Sequence, residues 1–237
     1  MPTSESLIDR FAGLFVPIHS DGHRFIGIAV VVTLLLALIS STLGWIGVIV
    51  TGWIIAFFRD PERVVPLREG LVVSAADGVV RAIDDVEPAS ELDLGPEPRV
   101  RVSVHLSLLD VHIQRVPMSG ELVHTVYLPG TFRSVRRDKA HEDNERHITI
   151  IEGEDGMRVA MVQIAGGIRR RIVTFLEQGR RAGVGERLGL IRFGSRVDVY
   201  LPPGVGSLVA VGQSMTAGET VIADLKSGEA ERTARAI

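Results

Sequence analysis

Cysteine is absent from the 237 residues of this chain, which excludes disulfides, thiolate metal ligands and cysteine nucleophiles. A strong positive charge is also missing: the formal net charge is −3, so the chain lacks the basic field that gathers nucleic acid by neutralising phosphates. The histidines are not accompanied by the paired carboxylates that a divalent-ion site requires. We therefore expect neither a metal nor a nucleic-acid partner.

Charged residues and histidine are absent from residues 25–58, where much of the hydrophobic content of the chain is concentrated. A membrane-spanning helix needs about 20 apolar residues, so this block is too long for one untilted span. Small and polar residues that favour a break lie in its middle: Ser40, Ser41, Thr42, Gly44 and Gly47. We expect a re-entrant or tightly bent helical hairpin with halves 25–39 and 45–58. One long tilted helix and two thin spans are the alternatives.

Basic residues flank this apolar block on both sides. They are Arg10, His23 and Arg24 before it and Arg59 and Arg63 after it. The positive-inside rule therefore places both flanks in the cytoplasm, which a hairpin satisfies. We expect residues 1–58 to associate with the cell membrane and residues 59–237 to form a separate domain on its cytoplasmic side. Residues 7–15 have helical spacing and lie either in the membrane interface or against the hairpin.

Short runs rich in Val and Ile, separated by Gly, Pro and Asp, follow residue 58 and are typical of β-strands. The candidate strands are residues 71–73, 79–83, 100–106, 120–126, 147–152, 158–164, 198–201 and 207–211. Residues 76–80 and 211–222 resemble hairpins of barrel-sandwich domains, and residues 91–97 read as an exposed loop. The patterns predict an α+β, mainly β fold: a barrel-sandwich-like domain beside an N-terminal helical hairpin.

Four segments carry a resemblance to a known family. Gly194 and Ser195 lie in the segment Leu-Ile-Arg-Phe-Gly-Ser-Arg-Val-Asp-Val-Tyr-Leu-Pro; an isolated Gly-Ser pair is a turn. The others are Phe-Phe-Arg-Asp-Pro-Glu-Arg at 57–63, Val-Ser-Ala-Ala-Asp-Gly-Val-Val at 73–80 and His-Leu-Ser-Leu-Leu-Asp-Val-His-Ile-Gln-Arg-Val-Pro at 105–117. In this order the four segments resemble the short type of the phosphatidylserine decarboxylase family, with Ala75 where proline is usual.

The resemblance implies a proenzyme that cleaves itself between Gly194 and Ser195 into a large chain, 1–194, and a small chain, 195–237. Ser195 would become a covalent pyruvoyl group, without any metal. This cofactor would form a Schiff base with phosphatidylserine in the membrane and yield phosphatidylethanolamine and CO2. The two chains would remain partners, and a homo-oligomer is a further option.

The same resemblance assigns roles to individual residues. Asp77 is carried over as the residue that orients a general base, although an isolated Asp-Gly pair is a turn. His112 takes the place of a catalytic histidine, which could act as base and later as proton donor. Arg115 stands where longer family members have a second histidine, so the base is His112, another histidine or a water. Supporting or reserve roles are expected for His141, Asn144, Arg146 and His147.

Two other classes of function are compatible with parts of the sequence. One is a non-catalytic membrane adaptor that binds a partner protein through a barrel-sandwich domain. The other is a pyruvoyl-dependent decarboxylase of a soluble amino acid, for which the long apolar block has no evident use.

Overall fold

The computed structural model describes residues 16–130, 144–166, 172–192, 195–229 and 232, with only the backbone of Ser195. The chain forms two compact units, Met1–Glu62 and Arg63–Ile237. Helices make up the described part of the first unit, and strands dominate the second. The prediction of a mainly β fold with an N-terminal helical hairpin is confirmed.

Two apolar helices form the hairpin of the first unit. Helix α1 spans Gly22–Ile39 and helix α2 spans Ser41–Phe57. Ser40 separates them because its backbone is extended, with φ −159° and ψ 139°. The chain therefore breaks within the predicted cluster of small and polar residues. By length and composition α1 could cross a membrane, and α2 is one residue shorter.

Small side chains allow the two helices to approach closely. A Cβ atom at Gly44 would lie 2.9 Å from the Ala37 Cβ, and one at Gly47 would lie 2.8 Å from the Thr33 Oγ1. The hydroxyls of Thr33 and Thr51 form a hydrogen bond of 2.9 Å between the helices. Close backbone approach through small residues, with an interhelical hydrogen bond, is how helices pack where burial of apolar surface supplies no driving force.

Antiparallel strands build the second unit. They are β1 (Leu71–Val73), β2 (Gly78–Val86), β3 (Arg99–His105), β4 (Ile113–Arg115), β5 (Gly120–Leu128), β6 (Arg146–Glu152), β7 (Arg158–Ala165), β8 (Ile172–Thr174), β9 (Arg181–Ala182), β10 (Arg187–Ile191), β11 (Ser195–Tyr200), β12 (Ser214–Met215) and β13 (Val221–Asp224). An eight-stranded sheet has the order β12-β2-β3-β11-β7-β6-β5-β9, a three-stranded sheet has the order β4-β10-β8, and β1 pairs with β13.

Both faces of the large sheet are buried near its centre. Along β7, Met161 contributes to the main hydrophobic core, whereas Val162 belongs to a second cluster on the other face. That second cluster includes Leu92 and Leu94, which are 3% and 8% exposed. The prediction of an exposed loop at 91–97 is therefore wrong in part, because its leucines cover an apolar sheet face.

One of the candidate strands is not formed. Residues 207–211 have no strand pairing, and the buried Ser207 hydroxyl instead bonds to the backbone of Val209, with both contacts at 3.2 Å. Serine side chains compete in this way with regular backbone pairing.

We expect Gly47→Leu to separate α1 from α2, because a side chain there would overlap Thr33. Gly52→Leu is the matched control, since no heavy atom lies within 4 Å of a Cβ at Gly52. The measurement is disulfide formation in a Thr33→Cys/Thr51→Cys background, which is unambiguous because the chain has no other cysteine. Oxidation should protect both thiols from a maleimide reagent in the Gly52→Leu protein but leave them reactive in the Gly47→Leu protein. Equal protection would contradict the packing described.

Candidate active site

One edge of the eight-stranded sheet collects the segments singled out in the sequence. Ser195 begins β11 and pairs with Ala165, the last residue of β7. Arg196 pairs with His105, the last residue of β3, and His105 pairs in turn with Val79 of β2. Asp77 immediately precedes β2, so it reaches the same edge about two strand spacings, or about 10 Å, from β11.

The strands on either side of residues 192–194 belong to different sheets. Strand β10 of the three-stranded sheet ends at Ile191, and β11 of the eight-stranded sheet begins at Ser195. Gly194 itself lies outside the described residues. The start of β11 is held by pairing with β7 on one side and, from Arg196 onward, with β3 on the other.

His112 is linked by its backbone to the strand that leads into this bond. Its carbonyl accepts a hydrogen bond of 3.3 Å from the Ile191 backbone amide. The ring is fully buried, and its Nδ1 lies 2.8 Å from the Asp110 carbonyl. A ring nitrogen in contact with a carbonyl oxygen must donate, so the proton of the neutral ring is on Nδ1 and Nε2 is the basic nitrogen.

Two buried glutamines continue from the backbone of His112. The Gln114 amide donates to the His112 carbonyl at 2.8 Å, and the Gln163 amide donates to Gln114 at 2.9 Å. Both side chains are fully buried. Hydrogen-bonded amides in a buried position restrict how the surrounding backbone can move, so this network supports the segment that leads from His112 into β4.

Asp77 is held by two segments that are distant in the sequence. Arg63 donates to both carboxylate oxygens, at 3.0 and 2.8 Å, and the Ala217 backbone amide donates to Oδ1 at 2.8 Å. Such multiple bonds fix the orientation of a carboxylate. The sequence motif pointed to Asp77, but it gave no sign that Arg63 is its ion-pair partner.

Arg115 connects two turns through hydrogen bonds to their backbone carbonyls. Its guanidinium donates to the Gly185 carbonyl at 2.9 Å, and its backbone amide donates to the Ala75 carbonyl at 2.9 Å. The side chain is largely buried. An arginine in these contacts is a structural cation and cannot replace a histidine as a base at ordinary pH.

Asn144 lies beside the strand partner of Ser195. Its side-chain amide donates to the Ala165 carbonyl at 2.8 Å. The neighbouring Glu145 is also buried, and its carboxylate accepts a hydrogen bond of 3.2 Å from the Ile172 backbone amide. Asn144 is thus brought to the candidate site as its motif suggested, whereas Glu145 was missed.

The remaining candidates, Arg146, His147 and His141, are not brought together as one group in the part of the chain that the structure describes. The Arg146 guanidinium lies 3.7 Å from the Glu91 carboxylate, next to the segment that covers the second hydrophobic cluster. His147 pairs with Gln163 on β7, and burial lowers its pKa to about 4. His141 lies outside the described residues. Among the residues that the structure describes, no group of three or more His, Asp or Glu side chains could hold a metal ion.

A buried ion pair directly follows Ser195. Arg196 donates to both oxygens of the Asp198 carboxylate, at 2.6 and 2.8 Å, and to the Ser103 hydroxyl at 2.9 Å. All three residues are buried. Two nitrogens of the arginine bind the carboxylate, and the arginine also donates to the hydroxyl. These contacts offset the cost of burying both charges in a medium of low dielectric constant. The alternation of Arg196 and Asp198 with buried Val197 was the only sequence signal for this cluster.

A family comparison assigns the class of protein that carries this arrangement. The family model described as phosphatidylserine decarboxylase matches residues 50–223, which include the start of β11, Asp77 and His112. The chain belongs to this family of decarboxylases, which are lyases.

Curated relatives match nearly the whole chain. Three proteins named phosphatidylserine decarboxylase proenzyme are each 51% identical to it. The one from Cereibacter sphaeroides aligns over 97% of this chain and 99% of its own length. Those from Paramagnetospirillum magneticum and Ruegeria pomeroyi align over 92% and 89% of this chain and over 91% and 96% of their own lengths. The resemblance inferred from four motifs is confirmed.

We expect Gly78→Ala to distort the site edge. Gly78 has φ +142°, and a Cβ there would lie 2.2 Å from the His105 carbonyl oxygen. The strain should lower the free energy of unfolding by about 1–3 kcal/mol. Thermal unfolding of the full chain in detergent measures this. Gly183→Ala, where no atom lies within 4 Å of a Cβ, should be nearly neutral; equal losses would argue against a special conformation at Gly78.

We also expect His147 to destabilise the protein in acid. Its pKa in the folded state is about 4, against 6.5 for an ordinary histidine, so below pH 6.5 the unfolded chain binds a proton that the folded chain does not. The free energy of unfolding should therefore fall by up to about 1.4 kcal/mol for each pH unit between about 6.5 and 4.

The test compares thermal unfolding of the wild type, His147→Gln and His124→Gln between pH 4.5 and 8. The stability of His147→Gln relative to the wild type should rise as the pH falls and stay constant above pH 7. His124, which is only half-buried, controls for loss of any imidazole. Parallel curves for all three proteins would show that burial of His147 has no such effect.

Proposed function

We propose that this chain is a proenzyme that cleaves its own backbone between Gly194 and Ser195 and converts Ser195 to a pyruvoyl group. The processed protein then decarboxylates phosphatidylserine to phosphatidylethanolamine. The names of the curated relatives, at 51% identity over nearly the whole chain, support both the substrate and the word proenzyme. The observation that supports the proposal is the position of Ser195 as the first residue of β11, at the sheet edge that Asp77 also reaches.

Self-cleavage uses only groups of the chain and one water. The Ser195 hydroxyl adds to the Gly194 carbonyl carbon, the peptide C–N bond breaks, and an ester forms. Removal of the Ser195 Cα proton then expels Gly194 as a carboxylate and leaves dehydroalanine. Water adds to the corresponding imine, ammonia leaves, and a ketone remains at the start of the small chain. Gly194 has no side chain to hinder the first approach.

His112 is the base in this proposal. Its Nε2 is the basic nitrogen because Nδ1 donates to the backbone carbonyl of Asp110. The backbone carbonyl of His112 accepts a hydrogen bond from Ile191, the last residue of β10, three residues before Gly194. His147 is a poor alternative, since a ring with a pKa of about 4 accepts protons weakly at neutral pH. The same His112 ring is then suited to return a proton during decarboxylation.

Asp77 and Arg63 have the role of positioning groups. The bonds from Arg63 and Ala217 hold the Asp77 carboxylate in one orientation at the site edge. A carboxylate that is ion-paired and held in one orientation is suited to positioning another group rather than to carrying the proton itself. The positive charge of Arg63 compensates the negative charge of Asp77 and so reduces the repulsion between Asp77 and the carboxylate of the substrate.

The surroundings of residue 195 fit a pyruvoyl group. A new chain end there begins a strand that is paired on both sides, opposite the small side chain of Ala165. Asn144 holds the Ala165 carbonyl, and the Arg196–Asp198 ion pair holds the next residues of β11. When formed, the group supplies the electron sink that a decarboxylation of an amino acid headgroup needs.

Membrane association explains how a lipid substrate is reached. In this proposal the apolar hairpin is the anchor. Its basic flanks favour a second unit on the cytoplasmic side of the cell membrane by the positive-inside rule. The headgroup of phosphatidylserine then enters from the bilayer. After cleavage, the large and small chains stay together because β11 pairs with β3 and β7 of the large chain.

We expect purified wild-type protein to contain two chains, 1–194 and 195–237. Intact-mass spectrometry should find the small chain lighter by one ammonia than a fragment beginning with serine. Ser195→Ala should remain a single chain, because it lacks the attacking oxygen. Ser214→Ala, an exposed serine on β12, is the matched control and should be processed normally. A single unbroken wild-type chain would remove the cofactor and the proposed activity together.

The same measurement tests the assigned roles. Asp77→Asn and His112→Gln should accumulate as uncleaved precursor, with processing slowed at least about a hundredfold, the usual contribution of a general base. Normal processing of both would refute their roles in cleavage while leaving the pyruvoyl group intact.

A further inference from the structure

An adjacent pair of exposed leucines lies in the loop between β3 and β4. Leu108 is 45% exposed and Leu109 is 69% exposed. Among the described residues of the second unit, they are the one adjacent pair of large apolar side chains left open to solvent. Single exposed apolar residues are ordinary on a protein surface, but two adjacent exposed leucines indicate contact with an apolar partner.

Internal hydrogen bonds hold this leucine turn, residues 107–110, in shape. The Ser107 amide donates to the Asp110 carboxylate at 2.6 Å, and the Asp110 amide donates back to the Ser107 carbonyl at 3.2 Å. The Leu109 amide donates to the Ser107 hydroxyl at 3.3 Å. These three hydrogen bonds hold the turn in a shape that leaves both leucines exposed.

The leucine turn is joined at both ends to the site edge. On one side it follows His105, which pairs with Arg196 next to the cleaved bond. On the other side, the carbonyl of Asp110 contacts Nδ1 of His112 at 2.8 Å. The leucines therefore lie at the same edge of the sheet as the start of β11.

We propose that the leucine turn inserts into the bilayer that contains the substrate and so holds the site edge against the lipid surface. This proposal rests on the proposed function, which requires a serine headgroup to reach residue 195 while its acyl chains stay in hydrocarbon. The site edge must then face the bilayer, and Leu108 and Leu109 project from that edge. The one charged side chain of the turn, Asp110, is bonded to the turn itself, which lowers the cost of bringing it near lipid.

A single label can test this contact because the chain has no cysteine. Leu109→Cys carries a polarity-sensitive fluorophore in the full-length protein, reconstituted into vesicles whose lipids have brominated acyl chains. The matched control is Leu67→Cys: Leu67 is 85% exposed and lines a cleft with Gly120 and Glu152, at the opposite end of the strands. Bromine should quench the label at 109 strongly and the label at 67 little. Equal quenching, or a label at 109 that stays in water, overturns the proposal.

A kinetic comparison gives a second readout. The variant Leu108→Ser/Leu109→Ser should lose on the order of tenfold in decarboxylation of phosphatidylserine in vesicles, from lost burial of two leucines. Its loss on a monomeric, short-chain serine phospholipid should be several times smaller. Equal losses on both substrates, or none on vesicles, contradict insertion. Intact mass separates this result from a failure of the proposed function, because an unprocessed wild type would be inactive on both substrates.

Discussion

The pairing of the first residues of β11 with β3 and β7 is the constraint on which the rest of the site depends. In the proposed cleavage, one of the two new chain ends would begin a strand that backbone hydrogen bonds hold on both sides. One residue later, the Arg196 guanidinium, which Asp198 of the same strand orients, donates to the Ser103 hydroxyl of β3 and adds a side-chain contact between β11 and β3.

Burial on both faces of the large sheet explains why the site lies at its edge. The central strands carry apolar residues toward two hydrophobic clusters, which leaves no open face for a polar reaction. At the edge, strands end in turns, and turns present backbone amides and carbonyls that are not used by the sheet. Asp77 and His112 take their hydrogen bonds from these turns, through Ala217 and Asp110. The two candidate catalytic groups are therefore positioned by loops whose ends are fixed by a rigid sheet.

Local sequence patterns predicted the parts of this structure that depend on local physics. The charge-free block and its small central residues predicted the hairpin, and alternating Val and Ile predicted the long strands. The ion pair of Arg63 with Asp77 and the amide contact of Gln114 with Gln163 could not be predicted, because each joins segments that only the sheet topology brings together. Very short strands such as β9 and β12 carry too few residues for a period to be recognised. That Leu92 covers the sheet could not be predicted either, because the prediction requires knowing that the sheet behind it is apolar on both faces.

The two units differ in where their apolar side chains lie. In the hairpin, Gly44, Gly47 and the Thr33–Thr51 hydrogen bond lie between the helices, and most of the large apolar side chains of both helices are exposed. In the second unit the apolar side chains face inward, and the leucine turn is a local exception. An enzyme that acts on a lipid headgroup needs both arrangements, because the anchor must be compatible with hydrocarbon while the reaction requires ordered polar groups. A chain with only the second arrangement could perform the same chemistry on a dissolved amino acid, so the apolar hairpin is the feature that favours a membrane substrate.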